Sequence, residues 1–291
     1  MSVRRCAWLM LFALAPGAAC AQDRIEEIRQ EVNAADNSRD TRKSKANSND
    51  NMFCDDNSSS WWDELFGEAT WKALAFPYWL PHRLLHDDFQ RDNQFAAYPY
   101  ANQYPGYLWQ GRWLGPELDS LREAELPSHC WSVRLSSEDG NDFHGLNRVG
   151  IRAALDSAWR AGLQSNWNYL REIIGGRWRD QTLLGDTSVT YRFAQHERIE
   201  MYSGLGFRVL TDPRSTNWGA NFVYGLDWFP ARPLVVSASF DAGNLGSASV
   251  IHSRATVGAA VRRCELFGGY DFLRIGSVNV QGPTAGLRLW F

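Results

Sequence analysis

The sequence predicts an all-β fold: a closed, antiparallel, membrane-crossing barrel of about ten strands, preceded by a largely irregular N-terminal arm. Three observations predict it. From residue 129 onward, apolar residues recur at every second position in segment after segment, the period of a half-buried strand. The alternate face of those segments holds Gly, Ser, Thr, Asn and isolated charges, and no Lys follows Lys72; such a face suits a narrow interior better than open water. The chain also carries 14 Trp, 10 Tyr and 15 Phe, which points to a large core or a membrane interface. Its mean hydropathy of -0.40 excludes a bundle of membrane helices but not a barrel, whose strands are only half apolar.

Charge narrows the function classes. Among 291 residues, 30 Lys and Arg face 33 Asp and Glu, a net charge of -3. A dedicated nucleic-acid binder would show a basic excess or stripe, so nucleic acid is not an expected partner. At 44% hydrophobic and 22% charged residues the chain can build a sizeable core.

Residues 1–21 read as a secretory signal. Arg4 and Arg5 supply the positive start, Cys6 to Ala15 an apolar run too short to span a bilayer, and Ala19-Cys20-Ala21 a small-residue cleavage site before Gln22. Lipid attachment at Cys20 is the alternative, against which stands Gly17 where lipoprotein signals carry a Leu-like residue. No later stretch can be a membrane helix, because Pro77 breaks the longest apolar one, Ala73 to Leu80. Cleavage leaves Cys54, Cys130 and Cys264, an odd set with neither zinc-type spacing nor a disulfide framework.

Residues 22–60 form a polar segment with almost nothing to bury, expected to be disordered apart from a short charged helix over Arg24 to Val32. Residues 61–128 form an aromatic and Pro-rich periplasmic arm. Trp61, Leu65, Trp71 and Leu74 give it one short helix with Ser60 as N-cap, and the prolines at 77, 81, 99 and 105 argue against longer elements. This arm is the segment through which a periplasmic partner would bind.

Residues 129–291 hold the barrel. The ten alternating segments are about 131–139, 146–156, 159–170, 183–194, 198–209, 217–228, 233–244, 250–261, 263–274 and 281–291. Eight strands, without the first hairpin, is the alternative count. Longer connections near 140–145 and 173–183 alternate with tight ones at 156–158 and 229–232, the pattern of outside loops and periplasmic turns. An even count would place both termini in the periplasm.

The closing text AGLRLWF places Leu287, Leu289 and Phe291 at alternate positions. It resembles the last strand of bacterial outer-membrane β-barrel proteins, which the barrel assembly machinery reads during insertion. That resemblance covers about residues 130–291. It implies outer-membrane location in contact with lipid, and says little of function, since small barrels serve as pores, enzymes and anchors alike. In size the barrel is also similar to the omptin proteases, which use acidic residues and a His at the outer rim. The rim residues here are Asp139, Asp142 and His144 in the first loop and Asp212 in the third, without a residue-by-residue match.

The segment faces assign inward charges: Arg134, Arg148, Arg152, Arg192, Glu200, Arg208, Asp241, His252, Arg254, Arg262, Glu265, Asp271 and Arg288. A narrow lumen requires such groups to pair. Arg outnumbers acid among them, so any ion path would prefer anions weakly. His252 and Ser253 are adjacent on a strand and point to opposite faces, which leaves His252 to bond a neighbour such as Asp241 or Asp271 rather than serve a hydrolytic pair. No zinc-protease, P-loop, nucleophile-elbow or EF-hand pattern occurs, and no cofactor is expected. The leading reading is a non-enzymatic structural or anchoring barrel; the alternatives are a rim hydrolase and a narrow channel.

Overall fold

The computed structural model describes residues 24–43, 78–85, 87, 93–101, 104–110, 128–142, 145–174, 177–213 and 215–291. The signal segment 1–21, the polar stretch 44–60 and the helix expected over 61–76 lie outside them, as does His144.

After helix α1 (Arg24–Lys43) and a short helix over residues 78–84, three small strands form a sheet of order β2-β1-β3: β1 (Asn93–Ala96), β2 (Leu108–Gln110) and β3 (Ser128–His129). The barrel follows: β4 (Trp131–Asn141), β5 (Leu146–Ser157), β6 (Ala161–Ile174), β7 (Arg177–His196), β8 (Ile199–Thr211), β9 (Thr216–Trp228), β10 (Leu234–Leu245), β11 (Ala248–Val261), β12 (Cys264–Ile275) and β13 (Val278–Trp290). Each strand pairs antiparallel with its sequence neighbours, and β13 pairs β4, so the ten strands close without an edge. The near mouth, where β4 begins, has its seam fastened by Phe291, which exchanges both backbone hydrogen bonds with Val133 at 2.9 and 3.0 Å.

The alternation assigns the faces as the sequence does. On β11, Ile251, Val257 and Val261 are exposed while His252, Arg254 and Thr256 are buried. Inward positions opposite bulky neighbours are glycine: a Cβ on Gly225 would lie 2.2 Å from the ring of Tyr202, its cross-strand partner.

Contrary to expectation, the connections do not alternate in length. The strands leave 142–145, 175–176, 212–215, 246–247 and 276–277 at the far mouth and 158–160, 197–198, 229–233 and 262–263 at the near mouth. The text at 173–183 that resembled a loop continues the ladder, pairing Ile173 with Trp178 beyond a bulge at Glu172, because β-branched and aromatic residues extend a strand as readily as they end it.

The helix expected over Arg24 to Val32 is present and runs on to Lys43 as α1. Its average polarity conceals one stripe, Ile25, Ile28 and Val32, at helical spacing and 1–2% exposed. That stripe plugs the far mouth, whereas Phe291 ends at the near one. The described ends therefore lie at opposite mouths, because strand parity fixes only where β4 starts and β13 stops.

The arm also holds strands: β1 and β2 are short enough to fit between the prolines, and they seat in the near mouth.

Candidate functional site, a sealed and charge-lined lumen

The far seal is α1. Ile25, Ile28 and Val32 pack among Leu146, Leu170, Leu184, Leu210, Leu245 and Ile275 from the strand ends. Glu172 caps the helix, accepting from the backbone N–H of Arg24 at 2.9 Å, where a carboxylate also meets the positive end of the helix dipole. Arg29 donates to Asp212 at 2.7 Å and to Asp180 at 3.0 Å. Two Gly-Ser hairpins complete the rim. Gly246 and Gly276 sit at φ +56° and +58°, which two-residue turns demand. A side chain on either would strike Val32 or Glu31. Ser247 donates its hydroxyl to the Val32 carbonyl at 2.8 Å, and Ser277 bonds the Glu31 carboxylate.

The near seal is aromatic. Phe95, Tyr100, Tyr107, Phe229 and Trp290 form one buried cluster with Leu108, Val235 and Ala260. Tyr107 meets Trp290 edge-on at 4.8 Å, and its phenol, pushed well up by burial, bonds the Ser132 hydroxyl. Burial likewise pushes the Tyr100 phenol up to about 12, so it stays a donor to the Leu234 carbonyl. Gly106 packs so closely on the Glu197 carbonyl that a Cβ has no room. Asp87, just past the 78–84 helix, takes both Nη atoms of Arg160 at 2.6 and 2.7 Å.

Between the seals the lumen is crossed by ion pairs. Arg134 reaches Asp227 at 2.6 Å, Asp156 at 2.7 Å and Glu200 at 3.0 Å, with Arg192 3.9 Å from the other Glu200 oxygen. Arg288 and Trp290 share Glu265 at 3.3 and 3.0 Å. Farther along, His252 bridges Asp241 and Asp271, each at 3.0 Å, and Arg148 holds Asp271 at 2.6 Å. Arg254 pairs with Glu138. Arg208 is 1% exposed. Arg152 also points inward and is taken up below.

Of the inward charges read from the sequence, Arg262 is misplaced: it sits in the β11–β12 turn at φ +55°, exposed, because the strand ends at Val261. Sequence reasoning also missed Glu172 beneath the far seal and four buried acids of the lumen between the seals, Glu138, Asp156, Asp186 and Asp227. The period-two rule that placed Arg134 and Arg152 inward would have found Glu138 and Asp156 on the same strands. With them, eight carboxylates (Glu138, Asp156, Asp186, Glu200, Asp227, Asp241, Glu265, Asp271) face seven arginines and His252. The arginine excess that would favour anions along a path disappears.

The rim residues do not form a catalytic set among the described residues. Asp139 faces outward, exposed, between Ala285 and Val149. Asp142 is buried and closes its turn by accepting from the Leu146 N–H at 2.9 Å. Asp212 accepts from the Ser215 N–H at 2.8 Å besides holding Arg29. Leu287, Leu289 and Phe291 all lie on the outer surface. Cys130 and Cys264 are free and exposed, while Cys54 is outside the described residues.

No protein-family model matches the chain, and no curated protein does. Among solved structures it is similar to Ail, the attachment invasion locus protein of Yersinia pestis, at 10% identity, covering 55% of this chain and 96% of that one with a TM-score of 0.26. Nothing of that protein's role transfers at this similarity.

Proposed function

We propose that this chain is an integral β-barrel of the bacterial outer membrane, closed by its own N-terminal residues, with a structural or anchoring role rather than a conducting or catalytic one. The observation that carries the membrane reading is the outer wall. Leu135, Ile151, Leu163, Leu205, Val257, Leu266 and Leu287 form an exposed apolar belt. Trp131, Trp159, Tyr191, Trp228 and Phe291 border it near one mouth, and Trp167, Phe207, Trp218 and Tyr270 toward the other. Among the described outward strand positions the charged ones are Asp139, Arg171 and Arg274, all toward the far mouth. Such a surface is costly in water and favourable in a bilayer with aromatic interfaces.

The two seals and the balanced lumen support the non-conducting part. Ten strands also lie closer to the filled eight-stranded barrels than to the sixteen or so that open a channel. The exposed pattern of Leu287, Leu289 and Phe291 supports recognition by the assembly machinery, with the near mouth toward the periplasm. There the 78–84 helix leaves Trp79 exposed, 49%, as the surface offered to a periplasmic partner.

The test is fractionation and electrophysiology on the full chain. It should sediment with outer membranes, shift on gels between unheated and boiled samples, and give no steps in planar bilayers. Steady single-channel conductance would refute closure, and recovery in the soluble fraction would refute the membrane reading.

A further inference from the structure

The lumen between the seals is not packed solid. Short inward side chains, among them Ser136, Ala154, Ser239 and Thr256, leave a small cavity of about 30 Å³. Four guanidiniums border it, Arg134, Arg152, Arg254 and Arg288, against one carboxylate, Asp227.

Three of the four are neutralised elsewhere. Arg134 already holds Asp227 and two further acids, Arg288 holds Glu265, and Arg254 spends one Nη on Glu138. The fourth is different. Arg152 makes no hydrogen bond or ion pair among the described residues, and its Nε is buried without a partner, as is Nη1 of Arg254. The residues opposite Arg152 on the two neighbouring strands are Ser136 and Asn166, not acids. Glu138, whose charge reaches Arg152, is already shared by Arg254 and by Arg148 at 3.6 Å.

A lumen guanidinium that no carboxylate bonds directly has only through-space attraction, here from Glu138, Asp241 and Asp186, whereas structural filling would place an acid in contact with it. This cavity instead offers guanidinium forks and hydroxyls with no uncommitted carboxylate. That donor set complements an oxyanion, whose several acceptor oxygens take paired N–H bonds from Arg and single ones from Ser and Thr.

We infer that the lumen cavity binds a small oxyanion of phosphate or sulfate size, held by Arg152 and Arg254 with the hydroxyls of Ser136, Ser239 and Thr256. A lipid phosphate shares this chemistry, but both mouths are filled by packed side chains, so the free ion is the ligand that fits. Such binding needs only the lumen and is independent of the proposed membrane role.

The experiment is equilibrium dialysis of the purified full chain in a maltoside detergent against labelled inorganic phosphate, at fixed ionic strength set with chloride. Saturable binding of one phosphate per chain is expected. Arg152→Met should weaken it by at least about tenfold, the scale of losing hydrogen bonds to a charged group. Arg254→Met should do the same, and the exposed control Arg274→Gln should not. The gel shift on heating reports that each variant is folded, and either lumen variant suffices if the other fails to fold. No saturation beyond what chloride gives, or equal binding by the folded lumen variants, would overturn the inference in favour of a water-filled gap. Short-chain phosphatidic acid should fail to compete; equal competition would make the ligand a lipid headgroup and overturn the free-ion assignment.

Discussion

Replacing Ile28 by Ala tests whether α1 is a seal or a part of the barrel. Ile28 is 1% exposed, in the middle of the Ile25, Ile28, Val32 stripe that fills the far mouth. Truncating such a side chain costs about 2–5 kcal/mol, because the rigid strand ends around it cannot collapse into the gap. Every barrel strand pairs on both sides without help from α1, so the loss falls on docking of the helix alone. At about 1.4 kcal/mol per tenfold, the undocked population rises roughly thirty- to several-thousand-fold. The readout is thiol labelling. In a background with Cys54, Cys130 and Cys264 replaced by Ser, Leu146→Cys lies beneath the helix, and its reaction with a membrane-impermeant maleimide reports opening. The labelling rate should rise by that factor while the gel shift on heating is unchanged. An unaltered rate would show that α1 does not cover the mouth, and loss of the gel shift would show that it is integral to the barrel.

Other outcomes follow from the walls and the lumen. Arg in place of Leu205 or Val257, 71% and 54% exposed, should cost about 2–4 kcal/mol in lipid vesicles if they face the bilayer midplane, whereas Arg at Thr256, 3% exposed, acts through crowding of the lumen; equal denaturant midpoints for all three would undo the face assignment. Deleting Phe291 removes both backbone bonds to Val133 at the seam and should lower the folded fraction on gels. Arg134→Met should destabilise by about 3–5 kcal/mol because it strands Asp156, Glu200 and Asp227, and adding Glu200→Gln should recover part of the loss in urea titrations.

The barrel was legible because period-two patterning is local. Leu287 and Leu289 declare their face to anyone who reads alternate positions, and the ten segments match the ten strands closely. His252 was legible for the same reason: an inward His has Asp241 directly opposite on one neighbouring strand and Asp271 one inward position away, opposite Arg254, on the other. What lay beyond local reading was where the upstream residues go. Nothing near Ile28 announces a barrel mouth assembled from residues at 146, 184, 245 and 275. Nor does the text around Tyr107 announce Trp290, which it meets only after the whole barrel intervenes. Such contacts are set by closure, and three apolar residues in a charged helix or one Tyr among prolines give too little pattern to foresee them. The lumen acids were a different failure. Glu138 and Asp156 obeyed the same parity as the arginines and were legible to a complete count.

Closure also orders assembly, and this gives a last prediction. The far seal is built from five hairpin ends, and Arg29 alone joins α1 to Asp180 on β7 and to Asp212 beyond β8. No single hairpin presents that surface. The mouth exists only once β13 has paired with β4, so α1 can dock only onto a barrel already closed. Its contacts are then absent from the transition state for insertion, and weakening them should change the rate of opening rather than the rate of assembly. Refolding of Ile28→Ala into vesicles, followed by the gel shift, should match the unaltered chain in rate. Deleting Phe291, which weakens the seam itself, should slow it. If Ile28→Ala slowed insertion as much as the seam deletion did, the helix would have to be present while the strands pair, and the barrel would be closing around its plug.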